Sequence, residues 1–173
     1  MRFRLFIALL AAAAPAYAGA QSFAAQFPAR ILAAHNAERA RARVAPLAWD
    51  SSLGLAAAAY ARQMAFSGRF QHSNRKARPG TGENLWMGSR GAFGVEAMVR
   101  AWVSEKRWFV PGQFPNNSRT GNWADVGHYT QMIWPTTSRV GCAIASTARV
   151  DYLVCRYAGK GNIDGRSVGY AMR

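Results

Sequence analysis

Three histidines and eight Asp or Glu residues are the acids, bases and hard metal ligands available to this 173-residue chain. Four of them stand where chemistry explains their presence better than solvation does. His72 and Glu83 lie in a stretch broken by Asn74, Pro79, Gly80 and Gly82, Glu105 falls on an apolar helical stripe, and His128 sits inside Gly127-His128-Tyr129-Thr130-Gln131-Met132-Ile133-Trp134. Two imidazoles suit zinc or another divalent cation, and carboxylates within reach would complete the shell or orient the rings and a bound water. Open positions on such a centre would let it activate water for hydrolysis. The same four side chains would also make a structural cluster in which each Glu accepts from an imidazole or a backbone donor. Their separation along the chain does not by itself bring them together. Serine or cysteine nucleophile chemistry has no support, because no nucleophile motif is present and the two cysteines read as a pair.

The elements that must position these residues can be read in part from periodicity. Residues 127–134 mix an imidazole, a phenol, a hydroxyl and an amide with large apolar side chains, a composition that holds something polar at the edge of a core. The spacing of Met98, Ala101, Trp102, Glu105 and Phe109 predicts a helix from about Val95 to Phe109 with Glu105 on its core-facing stripe. A carboxylate there needs a cation, a metal or hydrogen-bond donors, or else sits at the stripe's edge with Arg100 or Arg107.

Pro28 suits the first turn of a helix over about 29–43, in which His35 reads as a satisfied structural residue. Asp50 or Ser51 can cap a second helix that Ser67-Gly68 ends, with Leu53, Ala56, Ala57, Tyr60 and Met64 on one apolar face. Phe70 to Gly88 reads as loop, as does Val110 to Asp125 with its aromatic seed of Phe114 and Trp123. Arg139–Ala145 and Val150–Tyr157 read as two strands of a hairpin. A turn centred between Ala148 and Arg149 sets Cys142 opposite Cys155, within disulfide range. Val140, Ile144, Leu153 and Tyr157 share the cysteines' face, while Ala143, Ala145, Tyr152 and Val154 make the other face apolar too. A sheet apolar on both sides needs cover on both, so the expected fold is α+β, a three-layer α-β-α sandwich with a mainly antiparallel sheet.

The chain opens with Arg2 and Arg4, an apolar run from Leu5 to Ala14 and small residues up to Ala20. This reads as a secretory leader over 1–20, cleaved after Ala18 or Ala20, and the apolar run is too short for a transmembrane anchor. Residues 21–173 then make a single domain exported to the periplasm or the extracellular space. The formal charge of +14, about +12 without the leader, attracts anionic envelope surfaces, with no nucleic-acid motif beside it.

Several segments together resemble the CAP superfamily of cysteine-rich secretory, antigen 5 and pathogenesis-related proteins, whose unit is the SCP domain. Gly127 to Trp134 is similar to its first signature, with Pro135 where Ser, Thr or Asn is usual. Tyr152 to Tyr157 with Gly161-Asn162-Ile163 resembles the second, with Gly159 as a mild departure. His35-Asn36 with Arg39, Leu47-Ala48-Trp49-Asp50, His72-Ser73, Gly82-Glu83-Asn84-Leu85-Trp86 and Trp102 with Glu105 resemble further family segments in the family's order, so the likeness spans about residues 30–163. It implies the α-β-α sandwich of the CAP type in a bacterial-type secreted member. His72, Glu83, Glu105 and His128 match the family's cleft tetrad, which implies a divalent-cation site, zinc first, supported by Asn84, Tyr129 and Gln131. It implies a binding module more than an enzyme. The alternatives are a lipid-binding module for sterol or fatty acid, although no clear copy of the sterol-binding loop is present, and a metal-dependent hydrolase.

Overall fold

The computed structural model describes the backbone over residues 16–169 and side-chain surroundings from residue 25 onward. The greater part of the expected leader therefore lies outside the described residues. The chain runs through α1 (Ala16–Arg41), β1 (Ala48–Trp49), α2 (Ser51–Ser67), β2 (Thr81–Ser89), α3 (Val95–Val103), β3 (Gly112–Gln113), α4 (Gly127–Met132), β4 (Arg139–Ser146), β5 (Val150–Ala158) and β6 (Ser167–Val168). No described helix is long and apolar enough to cross a membrane.

The hairpin forms as its pattern predicts. β4 and β5 pair antiparallel with Ser146 opposite Asp151, which centres the turn on Ala148 and Arg149 and sets Cys142 against Cys155. The two cysteines form a disulfide across a Cα separation of 4.1 Å. β1 adds parallel to β4 and β2 adds antiparallel to β5, giving the order β1-β4-β5-β2. The strand β2 corrects the expectation of loop over 70–88. Gly82, Glu83, Asn84 and Gly88 are poor strand formers, and what holds them in line is a nine-residue ladder to β5.

Both faces of the sheet are covered. On one side Ala57, Ala61 and Met64 of α2 pack on Leu85, Tyr152 and Val154. On the other, Ile31, Met98, Trp102, Met132 and Trp134 of the α1, α3 and α4 layer pack on Val140, Cys142, Leu153, Cys155 and Tyr157. The result is the α-β-α sandwich. The helix α2 begins where Asp50 Oδ1 accepts from the backbone N–H groups of Ser52 and Leu53, and it ends at Gly68 with φ of 67°. Its first turn lies so close to β4 that a Cβ at Gly141 would overlap the backbone of Asp50 and Gly54.

Three helical expectations shift. The helix α1 starts upstream of its expected first turn, so Pro28 stands inside it, carried through an Ala-rich segment of high helix propensity. The expected third helix is α-helical only to Val103 and tightens into a 3-10 turn over Ser104–Trp108. Val95 and Val99, not Ala101, join Met98 and Trp102 in its buried face. In α2, Ala61 is buried and Ala56 is exposed, so the face that meets the sheet is rotated from the expected one.

One side chain ties the helical layer together. Arg39 is fully buried and donates Nε to Ala45 O (2.6 Å), Nη1 to Met132 O (2.8 Å) and Trp134 O (3.0 Å), and Nη2 to Thr137 O (2.9 Å). Burial lowers its pKa to about 10, which leaves it charged at neutral pH. Arg39→Met would strand three buried carbonyl groups, those of Met132, Trp134 and Thr137, and should cost at least about 3 kcal/mol. Arg39→Lys should recover only part, since an ammonium cannot present the guanidinium fork. The check is a lowered midpoint in urea unfolding; an unchanged midpoint for Arg39→Met would show that the carbonyl groups find other partners.

Candidate functional site

The alternation of a strand decides where the first pair forms. Leu85 faces α2 and Trp86 faces the opposite layer, so Glu83 points to the α2 side and Asn84 to the other. The Glu83 carboxylate is 0% exposed and accepts from His72 Nδ1 (2.7 Å), Ser73 N (2.9 Å) and Ser73 Oγ (2.9 Å). Arg156, its cross-strand partner on β5, places Nη2 3.1 Å from Glu83 Oε2. Burial by itself would raise the Glu83 pKa, but the His72 bond, the Arg156 charge and the Ser73 donors outweigh it and leave the carboxyl below its usual range.

The second pair forms on the opposite side of β2. Glu105, in the 3-10 turn after α3, accepts from His128 Nδ1 (2.6 Å) through Oε1. Its Oε2 accepts from the backbone N–H of His128 (2.9 Å) and of Tyr129 (3.0 Å). The carboxylate on the core-facing stripe thus meets hydrogen-bond donors, in place of Arg100 or Arg107, and a negative charge at the start of α4 also complements the helix dipole. Trp102 stacks on the His128 ring at 6.1 Å with an interplanar angle of 14°. Asn84 Nδ2 donates to His128 O (3.0 Å), linking the strand to α4.

His72, Glu83 and His128 line one cleft of about 880 Å³, with Asn84 and Gln131 in its wall. The side chains of His72 and His128 are 54% and 33% exposed. A carboxylate at Nδ1 places the ring proton there and leaves Nε2 with the lone pair, and neither Nε2 has a hydrogen-bond partner among the described residues. Glu105 stands behind His128, outside the cleft lining. The four residues therefore come together as two His–Glu pairs, and among the described residues no three His, Cys, Asp or Glu side chains form a metal-holding group. Gln131 closes the floor by accepting from Gly161 N (2.8 Å) and donating to Thr137 Oγ1 (3.2 Å), and a Cβ at Gly82 would overlap its amide. Tyr129 points inward and gives its hydroxyl to Glu38 (3.1 Å). Phe114 and Trp123, packed edge to face at 5.3 Å, form an aromatic border to the cleft.

Sequence reasoning missed Ser73 as a partner of Glu83, and it missed Arg156 and Glu38. Arg156 had a signal, being the one charged residue between Tyr152 and Tyr157 in an otherwise apolar strand interior. Glu38 had little: beside its bond to the helix neighbour Arg41 Nη1 (3.1 Å), its bonds to Lys106 Nζ (2.6 Å) and Tyr129 join groups far apart in sequence.

The family model described as CAP, Cysteine-rich secretory protein family, matches residues 32–157. The chain belongs to the CAP family. Pathogenesis-related protein PRMS of Zea mays is 36% identical over 148 residues, covering 83% of both proteins. Pathogenesis-related protein 1C of Nicotiana tabacum is 37% identical over 138 residues, 79% of this chain and 77% of the relative. Among solved structures, that of NaASP2 with Zn2+ superposes with a TM-score of 0.69 at 26% identity, covering 81% of this chain and 83% of that one. BmVAL-1 superposes at 0.66 and 23% identity, over 82% and 81% of the two chains, which speaks to the fold.

The third histidine of this CAP domain stays out of the cleft. His35 is fully buried, donates Nδ1–H to Ile31 O (2.8 Å) and accepts at Nε2 from Tyr157 (2.9 Å). Burial lowers its pKa from 6.5 to about 4, against the pull of the Ile31 carbonyl. The unfolded chain therefore binds a proton at this residue that the folded chain refuses. Its contribution to stability is complete above pH 6.5 and is lost as pH falls toward about 4, a loss of up to roughly 3 kcal/mol. Urea unfolding at several pH values across that window should show a steeper acid loss for the wild type than for His35→Gln, which has no proton to gain. Equal slopes would place the acid sensitivity elsewhere.

Proposed function

We propose that this CAP-domain protein is an exported binding module that holds a divalent cation, zinc first, through Nε2 of His72 and of His128. The observation that carries the reading is the pairing of each cleft imidazole with a carboxylate at Nδ1, which leaves both Nε2 lone pairs without a hydrogen-bond partner among the described residues. That arrangement is how proteins orient histidine ligands and raise their basicity. The donor set fits a centre in which two imidazoles bind directly and Glu83 and Glu105 stand behind them, with the remaining positions left to water or to a ligand. A bound zinc would supply Lewis acidity to whatever ligand reaches the cleft. NaASP2, similar over most of both chains, is a protein whose structure was solved with Zn2+. Export draws on the leader-like residues 1–20 and on a relative, Secreted protein RBT4 of Candida albicans, 36% identical over 143 residues, 81% of this chain and 37% of that protein.

A second reading has its own observation. Phe114 and Trp123 give the cleft an aromatic rim, and Trp123 is 42% exposed, so a sterol or a fatty acid is the alternative occupant.

Calorimetric titration of zinc into chelator-stripped protein tests the cation reading. His72→Ala and His128→Ala should each remove measurable binding, while Glu83→Gln and Glu105→Gln should weaken it about 10- to 100-fold. Lowering the pH should release the metal, because a protonated imidazole cannot ligate. Absent heat in the wild type, or equal heat in the wild type and both histidine variants, would overturn the reading and leave a structural polar cluster. Zinc-dependent peptide cleavage by the wild type would instead make the protein a hydrolase.

A further inference from the structure

A second cavity of about 660 Å³ lies on the α2 side of His72, between Tyr60 of α2, the loop from Gln71 to Thr81, and Arg156 of β5. Its charged or titratable lining includes His72, Arg78 and Arg156, and no carboxylate among the described residues lines it. Both guanidinium groups are only partly satisfied. Arg156 places Nη2 on Glu83 and lies over the Tyr60 ring at 5.3 Å, with a side chain 8% exposed; its Nε is buried and has no hydrogen-bond partner among the described residues. Arg78 donates Nη1 to Thr81 O (2.8 Å), and its Nε, also buried and without a hydrogen bond among the described residues, stands 3.8 Å from Glu83 Oε1. Two cations therefore share one carboxylate that already accepts from His72 and twice from Ser73. Buried charged donors without acceptors are costly and rare, and an oxygen anion is the group that satisfies guanidinium donors best.

We propose that this cavity is an oxyanion subsite, where a carboxylate or phosphate group of a ligand enters between α2 and the 71–81 loop and accepts from Arg78 and Arg156. His72, Arg78 and Thr81 line both this cavity and the cleft. A ligand held by its anionic group thus extends past the His72 ring toward His128. The two donors of the subsite, Arg78 and Arg156, are other than the histidines assigned to the cation, with His72 as the wall common to both cavities, and the subsite stands whether or not metal binds.

Inorganic phosphate and acetate, each titrated into chelator-stripped protein and followed through the arginine Nε–H signals by NMR, test it. Saturable shifts of the Arg78 and Arg156 signals are expected. Affinity should fall about tenfold or more in Arg78→Gln and in Arg156→Lys, which keeps the charge beside Glu83 but loses the fork. The exposed Arg149→Gln should bind as the wild type does. Saturation by phosphate alone assigns a phosphate group, and saturation by acetate alone a carboxylate. No saturable shift with either probe would overturn the proposal. So would equal affinities in wild type and Arg78→Gln, or equal weakening in Arg78→Gln and Arg149→Gln, the mark of diffuse attraction to a basic protein.

Discussion

A helix of six residues, α4, is held at both ends by charges that α1 and the 3-10 turn after α3 supply. Such a helix has too few hydrogen bonds to offset its own nucleation. The Glu105 carboxylate takes the first backbone donors of α4, and the Arg39 guanidinium takes the carbonyl groups at and beyond its end. Each charge has the sign that the helix dipole favours at its end. His128 rides on this clamp, and Trp102 fixes the ring plane. The position of one cleft imidazole therefore depends on α1, α3 and the turn that follows α3, and not on the few residues around it.

The other imidazole depends on the sheet. The strand β2 is an edge strand, and alternation along it sends Glu83 to one helical layer and Asn84 to the other. Asn84 reaches α4 while Glu83 holds His72, so one dipeptide reaches both halves of the site. Burying Glu83 is tolerable because its oxygens meet two donors of Ser73, the His72 ring and the Arg156 guanidinium. Removing one of a buried pair leaves an uncompensated charge, so these residues act as a unit.

The high positive charge divides between two roles. Arg39 and Arg156 are buried and serve the α4 clamp and the Glu83 carboxylate, whereas arginines such as Arg62, Arg69 and Arg149 are exposed and contribute to the positive field around the molecule. Net charge read from composition cannot separate the two.

What the sequence by itself determined are features whose physics is local. The hairpin register follows from alternation and a two-residue turn, and with it the Cys142–Cys155 pairing. The limits of α2 follow from Asp50 as cap and from Gly68 as terminator. The two apolar faces of β4 and β5 implied a covered sheet, and the apolar stripe carrying Glu105 implied that this carboxylate needed partners. The residues of the two His–Glu pairs stood out through their resemblance to a family pattern, although Glu105 lies behind His128 and outside the cleft lining. Only the tertiary structure decided that β2 is a strand, because its Gly, Glu and Asn residues disfavour one until β5 supplies a ladder. It also decided which Glu faces which His, across 11 and 23 residues of chain, and that Arg39 and Arg156 complete the frame. Those pairings exist because packing removes water from charged groups brought together from remote elements; local spacing can mark a carboxylate that will need a partner, as at Glu105, but it does not say which partner arrives.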